Sequence, residues 1–261
     1  MPEHAQEPVK MALDGPVATV LLDRPDKLNA LTPQMLDRLE AIATRLDADK
    51  ALRCVILTGA GNKAFCVGAD VSAWSALEPL DMWRGWVKRG HQVFDRWARL
   101  RLPLIAAING HALGGGLELA AVADIRIAGS GAGFGLPEAA IGTCPGWSGT
   151  QRVARLIGPA QVKLLALTGR RISAQEAFRI GLLSEPPVED ALVRAGEVAQ
   201  EVCRLAPVSA QLAKQLIDAG SGEGLAAALE SMAGALAATT DDAREGKASF
   251  LEKRAPKYAG R

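Results

Sequence analysis

Two glutamates near a glycine-rich stretch are the residues of this sequence best suited to acid–base chemistry. Glu118 follows three consecutive glycines, and Glu138 lies 20 residues further along the chain, at the end of Phe134-Gly135-Leu136-Pro137-Glu138. Each one alone has a simpler interpretation, because an acid in the first turn stabilises a helix and a loop acid usually faces solvent. Both are flanked by apolar sequence, however, and two carboxylates can act as acid and base on one substrate.

The three glycines, Gly114-Gly115-Gly116, directly precede a strong helical pattern from Leu117 to Ala123. Glycine lets the backbone approach a ligand closely. The first amides of a helix have no partner within it, so such a loop can stabilise an oxyanion that forms during a reaction. A close packing contact between a helix and its neighbour would need the same residues. The glycines therefore indicate either an oxyanion site or a tight packing contact.

Other catalytic patterns are incomplete in this sequence. Gly146-Trp147-Ser148-Gly149-Thr150 is similar to the turn that carries a nucleophilic serine, but Thr150 takes the place of the final glycine. The Gly59-x-Gly61-x-x-Ala64 spacing imitates a dinucleotide-binding loop, but a strand and a loop follow it where a helix is required. His111 lies close to the glycines, and a lone histidine usually has a structural role. These patterns therefore do not favour nucleophilic or nucleotide-binding functions.

Composition and charge argue against several classes of partner. The 261 residues are 49% hydrophobic and 23% charged, and the formal net charge is +1. We therefore expect neither nucleic acid nor an anionic membrane as a partner. Four scattered cysteines and three histidines, His4 among them, include no Cys-x-x-Cys pair, so a bound metal is not expected. The cysteines are typical of reduced thiols in a cytoplasmic protein.

Two regions lack the features of targeting or membrane segments. The first seven residues contain no basic stretch followed by an apolar one, so a secretory signal is not predicted. The longest apolar stretch runs from Leu102 to Ile125, but Asn109, His111 and Glu118 interrupt it. A membrane span is therefore not predicted either.

Strand and helix patterns alternate through the first two-thirds of the chain, which is typical of an α/β fold. Short apolar runs predict strands at 17–22, 54–57, 104–108 and 124–128. Thr32 and Pro33 predict the start of a helix. Its apolar face is predicted to contain Met35, Leu36, Leu39, Ile42, Ala43 and Leu46. From about Pro159 onward, the chain is predicted to be nearly all helical, with helices at 159–167, 173–180, 189–204, 207–218, 222–237 and 240–253.

Four of the five tryptophans lie between residues 73 and 101. One helical face is approximately fitted by Trp83, Trp86, Val87, Val93, Phe94 and Trp97. Core packing is the simpler explanation of this face. The alternative is that some of these rings line an apolar ligand pocket.

Read together, six ordered motifs resemble the crotonase family of acyl-coenzyme A enzymes, the enoyl-CoA hydratase/isomerase family. The similarity covers nearly the whole chain, from about Val17 to Pro256. The first motif is Asp23-Arg24-Pro25 with Leu28-Asn29-Ala30-Leu31, and the second is Leu57-Thr58-Gly59 with 65–70. The third is the glycine segment 107–119, and the fourth is the glutamate segment 134–138. The fifth is Gly142-Thr143-Cys144-Pro145-Gly146 with 149–152, the sixth is 168–177, and the likeness continues to 250–254.

The resemblance implies a spiral of ββα turns followed by a helical region that forms trimers. We accordingly expect a crotonase core at 1–195 and a helical C-terminal trimerisation region at 196–261. The resemblance also implies a homotrimer or a hexamer built as a dimer of trimers. The substrate would be an acyl-CoA thioester, and no cofactor is expected because coenzyme A is part of the substrate.

The resemblance further assigns roles to individual residues. The amides of Ala69 and Gly115 would form an oxyanion hole around the thioester carbonyl. The backbone of Gly146 would help to hold a water molecule. The other implied substrate-binding residues are Lys27 and Leu28 at the coenzyme A head, Asp70, Val71 and Ser72 along the pantetheine, and Trp147 in the pocket. Phe250 and Lys253 are expected to share one face of a C-terminal helix. The resemblance implies that this face reaches the coenzyme A of a neighbouring subunit.

Both glutamates occupy positions that resemble those of hydratases, so the implied reaction is addition of water to the 2,3 double bond of an enoyl-CoA. Glu118 would be the base that activates water, and Glu138 would be the acid that protonates the α-carbon. One alternative is a double-bond isomerase that uses one glutamate as a proton shuttle. Another is a non-catalytic binding protein, although the sequence lacks the basic or aromatic stripe expected for RNA binding.

The sequence departs from the hydratase pattern at three places. Leu136 stands where the best-known hydratases have glutamine, and Ser72 stands where a lysine often helps to bind coenzyme A phosphate. Trp147-Ser148 replaces a smaller pair. Together with the tryptophans at 74–97, the bulk of Trp147 predicts a preference for short or compact acyl groups.

Overall fold

The computed structural model describes residues 7–220 and 223–261. His4, most of the N-terminal segment examined for a secretory signal and the first residue of the helix predicted at 222–237 lie outside the described residues. The strands within the described residues are β1 (Val9–Asp14), β2 (Val17–Leu22), β3 (Cys54–Gly59), β4 (Ala64–Cys66), β5 (Leu104–Ile108), β6 (His111–Leu113), β7 (Ile125–Ala128), β8 (Gly133–Gly135) and β9 (Arg171–Ser173).

The helices are numbered in chain order over the same described residues. They are α1 (Pro33–Ala48), α2 (Val71–Trp74), α3 (Pro79–Asp81), α4 (Lys88–Ala98), α5 (Gly115–Ala120), α6 (Gly149–Thr168), α7 (Ala174–Arg179), α8 (Ala191–Cys203), α9 (Pro207–Ala219), α10 (Glu223–Ala238) and α11 (Asp241–Glu252). Short 3₁₀ turns at Pro25–Lys27 and Glu138–Ile141 and a π-helical segment at Met82–Val87 complete the assignment.

The larger sheet has the strand order β1-β2-β3-β5-β7. β1 and β2 form an antiparallel hairpin, and the other neighbours pair in parallel. The parallel strands are buried on both faces, which explains why their sequences are continuous apolar runs without alternation. One face packs on the main core, and α8 covers the other through Ala191, Ala195 and Val198. The four strands predicted from the sequence are all present, and β1 is an additional one.

The smaller sheet has the order β4-β6-β8-β9 and contains strands of only three residues. β4 follows β3, β6 follows β5 and β8 follows β7, so the chain passes repeatedly from the larger sheet to the smaller one and then into helix. This repeated path is the spiral of ββα turns that the resemblance implied. It places the ends of β4, β6 and β8 side by side, and the glycine segment and Glu138 follow two of those ends.

α1 begins where the sequence predicts. The Thr32 side chain caps the helix by accepting a hydrogen bond from the Met35 amide, and Pro33 occupies the first turn. The six residues predicted for its apolar face are the six that are buried. The helix after the glycines is α5, which begins earlier than predicted, at Gly115. α6 also begins earlier, at Gly149, and bends at Gly158, where φ is 78°.

The tryptophan face predicted around α4 is only partly correct. Trp86, Phe94 and Trp97 are buried, but the side chain of Trp83 is 65% exposed. The reason is the π-helical segment that precedes α4, because its wider turn removes Trp83 from the angular row of the later residues. Core packing therefore explains most of this face.

The C-terminal helices lie beyond the two sheets. The predicted boundary between residues 195 and 196 falls inside α8, which packs along the larger sheet. Helices α9 to α11 expose large apolar side chains, namely Ile217, Met232, Leu236, Phe250 and Leu251. The division into two regions, and the trimer that these helices would form, remain predictions. Within the described residues, no helix is both long enough and apolar enough to cross a lipid bilayer.

Candidate active site

The glycine segment brings two backbone stretches into direct contact. A β-carbon added to Gly115 would lie 3.4 Å from the Cα of Gly68, and one added to Gly68 would lie 3.0 Å from the nitrogen of Gly115. Ala69 directly follows Gly68. The residues on either side of Ala69 bind Leu31. The Gly68 carbonyl accepts a hydrogen bond from the Leu31 amide, and the Asp70 amide donates one to the Leu31 carbonyl. The Ala69 amide lies between these two bonds and takes part in neither.

The three glycines of the segment serve different purposes. Gly114 has a φ of 54°, in the region that favours glycine. Gly115 is the first residue of α5, so its amide has no partner within the helix. Gly116 is a packing glycine, because a β-carbon there would lie 1.9 Å from the carbonyl oxygen of Cys66. The packing contact considered from the sequence is therefore present at Gly116, and the oxyanion site remains a prediction for the Gly115 amide.

Glu118 is held in a fixed position on α5. Its side chain is buried with 2% exposure, and Oε1 accepts hydrogen bonds from the amides of Trp147 at 2.8 Å and Gly149 at 2.6 Å. Burial raises the pKa of Glu118, while the amides of Gly149, Trp147 and Gly146 and the charge of Arg152 favour its carboxylate. This residue can be a buried carboxylate with a defined direction.

Glu138 has different surroundings although it lies nearby. Both carboxyl oxygens are buried and have no hydrogen-bond partner among the described residues. Burial, with a smaller contribution from the charge of Glu118, raises the pKa of Glu138 to about 7. The carboxyl group lies against Gly114, since a β-carbon at that glycine would be 3.1 Å from Oε1 of Glu138. An unpartnered carboxyl with this pKa can donate a proton near neutral pH.

Gly146 and Trp147 lie in the segment that holds Glu118. Trp147 is buried, and its ring packs at centroid distances of 5.2 Å against Trp86 in a tilted arrangement and against Phe94 edge-to-face. The ring also covers two glycines, because a β-carbon on Gly115 would lie 2.9 Å from its Cε3 and one on Gly90 would lie 1.9 Å from its Nε1. Trp147 therefore forms a wall between α4 and the Gly115 backbone.

Four of the expected coenzyme A residues lie on one rim beside Ala69. The Leu28 carbonyl accepts from the Val67 amide, which places Lys27 and Leu28 beside the strand that leads to Ala69. Val71 and Ser72 are exposed on the first turn of α2. These residues are accessible to a ligand that reaches Ala69.

Asp70 is part of the same rim, but its carboxylate already has partners. It accepts from the Ser72 amide and hydroxyl and from Arg24 at 3.0 Å. The Ser72 and Arg24 hydrogen bonds lower the pKa of Asp70. The side chain of Asp70 therefore stabilises the start of α2, and its backbone is the part available to a ligand.

Phe250 and Lys253 lie at the end of α11. Phe250 is 83% exposed, and Lys253 ends the helix with a left-handed φ of 53°. The expectation that they share one helical face is therefore wrong in detail, because Lys253 has left the helical conformation. Within one chain, amides of the C-terminal segment bond to the α11 carboxylates Asp242 and Glu245.

Two residues of the site escaped the sequence analysis. The Ser148 hydroxyl and Nδ1 of His91 are 2.8 Å apart, and His91 was not singled out because 57 positions separate the two. Arg152 pairs with Asp95 on α4 and acts on Glu118 through its charge. Among the described residues, no group of three or more histidine, cysteine, aspartate or glutamate side chains is arranged to hold a metal ion.

The raised pKa of Glu138 predicts a pH-dependent stability. The folded-state pKa of Glu138, about 7, exceeds the ordinary value of 4.5. This group therefore contributes stability at low pH, and the contribution is lost as the pH rises through 7. The shift corresponds to about 3 kcal/mol at 1.36 kcal/mol per unit, and solvent screening reduces it to roughly 2 kcal/mol.

We therefore expect Glu138→Gln to raise the melting temperature at pH 8.5 by roughly 5 °C and to change it little at pH 5. Thermal unfolding followed by circular dichroism at the two pH values measures this difference. Glu189→Gln, at an exposed glutamate, is the matched control and should show no such pH dependence. An equal effect of Glu138→Gln at both pH values would contradict the raised pKa.

Comparison with known proteins gives one consistent result. The family profile described as Enoyl-CoA hydratase/isomerase matches residues 13–261. The chain is 41% identical to a short-chain-enoyl-CoA hydratase of Clostridium acetobutylicum, covering 92% of this chain and 93% of that protein. It is 38% identical to a crotonyl-CoA hydratase of Syntrophomonas wolfei, covering 96% and 97%. The crystal structure of an enoyl-CoA hydratase from Bacillus anthracis superposes with a TM-score of 0.93 at 38% identity, covering 97% of this chain and 100% of that one.

Proposed function

The chain belongs to the enoyl-CoA hydratase/isomerase family, and from this premise we propose that it is an enoyl-CoA hydratase acting on short-chain 2-enoyl-CoA thioesters. The observation that carries the proposal is the pair Glu118 and Glu138, two buried carboxyl groups in contrasting surroundings beside the Gly115 backbone. Two such groups with different protonation states supply the base and the acid that addition of water requires.

The amides of Ala69 and Gly115 are proposed to bind the thioester carbonyl oxygen. When water adds at C3, the electrons of the double bond move towards C2 and the carbonyl, and the oxygen becomes enolate-like. Two preorganised amide donors stabilise this charge more than they stabilise the neutral carbonyl. The contact between Gly68 and Gly115 supports this role, because it places the two backbone segments side by side.

Glu118 is proposed to be the base. Amide hydrogen bonds favour its carboxylate form and leave Oε2 to accept a proton from water. As the water oxygen bonds to C3, its proton moves to Glu118. Gly146 borders this position, and its amide also favours the Glu118 carboxylate. The backbone of the 146–149 segment thus orients the base.

Glu138 is proposed to be the acid. With a pKa of about 7, a substantial fraction is protonated at neutral pH, and no partner among the described residues competes for its proton. It delivers this proton to C2 as the enolate collapses, which gives the 3-hydroxyacyl-CoA. A proton must then pass from Glu118 to Glu138, directly or through solvent, to complete the cycle.

The direct test is incubation of the purified protein with crotonyl-CoA. Hydration removes the enoyl-thioester absorbance, and 3-hydroxybutyryl-CoA should be recovered. Conversion of a 3-enoyl-CoA to its 2-enoyl isomer without water addition would favour the isomerase. Binding of crotonyl-CoA without either conversion would favour a non-catalytic binding protein.

We further propose that the protein is cytoplasmic, that it assembles as a homotrimer or a dimer of trimers, and that it needs no cofactor beyond the coenzyme A of its substrate. The large apolar side chains exposed on helices α9 to α11 support the assembly, because contact with another subunit would remove them from water. Lys27, Leu28, Val71 and Ser72 would border the coenzyme A of the same subunit. Phe250 and Lys253 would reach the coenzyme A of a neighbour.

Lys253 gives a specific prediction for coenzyme A binding. Ser72 stands where a lysine would supply a positive charge, so an added cation from a neighbouring subunit would matter more. We expect Lys253→Gln to raise the KM for crotonyl-CoA several-fold with kcat nearly unchanged, the pattern of lost uniform binding. Glutamine retains the β-carbon at a residue with positive φ, so the backbone conformation is not a new variable.

Two controls identify the cause of that change. Lys247→Gln alters an exposed lysine on the same helix and should leave KM unchanged. The effect of Lys253→Gln should shrink at high salt, because an exposed phosphate contact is screened, and should vanish with a crotonyl-pantetheine thioester that lacks the nucleotide. Equal losses with both substrates would show that Lys253 supports assembly instead.

A further inference from the structure

We propose that His91 and Ser148 form a positioning pair that holds the 147–149 segment in the conformation that orients Glu118. The inference rests on the proposed function, since it assigns Glu118 a catalytic role. The inference goes beyond the proposed function by assigning a role to two residues that neither contact the proposed oxyanion site nor carry a catalytic proton.

Ser148 adopts an unusual backbone conformation. Its φ is 80° and its ψ is 12°, in the left-handed region, and it directly precedes α6. A non-glycine residue in this region is strained, because its β-carbon lies too close to the following carbonyl oxygen. Such a conformation persists only where the surroundings fix it. A specific contact of Ser148 is therefore required to hold the backbone there.

The contact is the hydrogen bond between the Ser148 hydroxyl and the Nδ1 atom of His91, at 2.8 Å. Ser148 is buried, so its hydroxyl would lose water without gaining a partner if His91 were absent. Leaving the left-handed region would also move the hydroxyl away from His91. The hydrogen bond therefore opposes relaxation of the strained backbone.

The conformation of Ser148 matters because of its two neighbours. The amides of Trp147 and Gly149 converge on the same oxygen, Oε1 of Glu118. Two amides separated by a single residue can converge in this way only for a restricted backbone conformation of that residue. Relaxation of Ser148 to negative φ would rotate the adjoining peptide units and separate the amides from the carboxylate.

The surrounding contacts show that α4 is the element to which the segment is anchored. His91 and Asp95 lie one turn apart on α4, while Ser148 and Arg152 lie one turn apart at the start of α6. His91 contacts Ser148, and Asp95 forms an ion pair with Arg152. The charge of Arg152 in turn favours the carboxylate of Glu118. Two side-chain pairs thus fix the beginning of α6 to α4 beside the base.

Trp147 adds a third contact with the same helix. Its indole occupies the space left by the missing side chain of Gly90, the residue before His91. Two consecutive residues of the segment therefore dock on two consecutive residues of α4. The bulky pair Trp147-Ser148, a departure from the family pattern, has a matching pair in Gly90-His91.

Four variants test the proposal through the kcat of crotonyl-CoA hydration. His91→Ala should lower kcat roughly tenfold, the effect of disturbing hydrogen bonds to a charged group, with KM within about twofold. His91→Asn can keep an acceptor near the Nδ1 position and should restore most of the activity. Ser148→Gly should stay within about threefold of the wild type, because glycine adopts positive φ without support.

The double variant His91→Ala/Ser148→Gly gives the decisive result. If His91 only fixes the strained serine, glycine at 148 makes it dispensable, and the double variant should match Ser148→Gly. A double variant as impaired as His91→Ala would overturn the proposal, and so would wild-type kcat in His91→Ala. Loss of all activity in Ser148→Gly would also overturn it and would indicate a nucleophilic serine.

A second measurement separates positioning from a general loss of structure. Weakening the hydrogen bonds that the Trp147 and Gly149 amides donate to Glu118 raises the pKa of Glu118. The other charged groups near Glu118 are Glu138 and Arg152. The acidic limb of the kcat/KM profile should therefore move to higher pH in His91→Ala and return in the double variant. An unmoved limb would contradict the proposed role.

A crystal structure of His91→Ala tests the proposal independently of the reaction. Residue 148 should leave the left-handed region, and the Trp147 and Gly149 amides should lie beyond hydrogen-bond distance of Glu118. An unchanged segment would overturn the positioning role even if the wild type proved to catalyse another reaction. Absence of crotonyl-CoA hydration by the wild type would instead count against the proposed function alone.

Discussion

Replacement of either glutamate by glutamine is expected to lower kcat for crotonyl-CoA hydration by about a hundredfold or more, the range for a positioned acid or base. Glu118→Gln removes the group proposed to accept the proton of water. Glu138→Gln removes the group proposed to deliver a proton to C2. Both substitutions preserve size, and an amide oxygen at 118 can still accept from Trp147 and Gly149. Stopped-flow loss of the enoyl absorbance measures the effect.

Binding of a ligand that cannot react separates chemistry from folding. The dissociation constant of butyryl-CoA, measured by calorimetry, should change little in either variant, because the oxyanion amides and the coenzyme A rim remain. Glu189→Gln is the control for substitution of an exposed glutamate. Wild-type hydration by Glu118→Gln together with an inactive Glu138→Gln would contradict a two-carboxylate mechanism and would favour an isomerase that uses one acid.

Trp147→Ala is expected to change the range of acyl chains that the protein accepts. The ring covers Gly115, and the Trp147 amide binds Glu118, so the wall lies close to the reacting carbons. Octenoyl-CoA has four more methylenes than crotonyl-CoA, and each buried methylene contributes about 0.8 kcal/mol. Four methylenes correspond to about 3.2 kcal/mol when fully buried, so the ratio of kcat/KM for octenoyl-CoA to that for crotonyl-CoA should rise by up to about two hundredfold.

Folding must be controlled in this experiment. Removal of a buried tryptophan costs about 3–5 kcal/mol, so Trp147→Phe, which keeps an aromatic wall at lower cost, should give an intermediate ratio. Trp83→Ala removes an exposed tryptophan from the segment that leads into α4 and should leave the ratio unchanged. Efficient turnover of octenoyl-CoA by the wild type would contradict the assignment of Trp147 as the wall.

The sequence was sufficient where the signal is local. Thr32 and Pro33 specify the start of α1, and the helical periodicity after them identifies its buried face. The four parallel strands β2, β3, β5 and β7 are predicted because strands buried on both faces are continuous apolar runs. Glu118 and Glu138 were predicted as an acid–base pair because both are flanked by apolar sequence and two carboxylates can act on one substrate, and this role remains a prediction.

The features that were missed depend on contacts between distant positions or on very short elements. Strands of three residues, such as His111–Leu113, are too short for a periodic pattern to be recognised. Trp83 is exposed because it lies in a π-helical segment, and no residue type in the sequence predicts that segment. The hydrogen bond between the His91 and Ser148 side chains joins positions that are far apart in the chain. Only the fold shows that these two residues are neighbours.

The fit between Trp147 and Gly90 also restricts the order in which this site can evolve. A single β-carbon at Gly90 would lie 1.9 Å from the indole nitrogen, so no side chain is tolerated at residue 90 while the tryptophan is present. Residue 147 can become smaller first, and only then can residue 90 become larger. A lineage that acquires new acyl specificity at this wall must therefore pass through a change at 147, and a reversal is blocked once residue 90 carries a side chain.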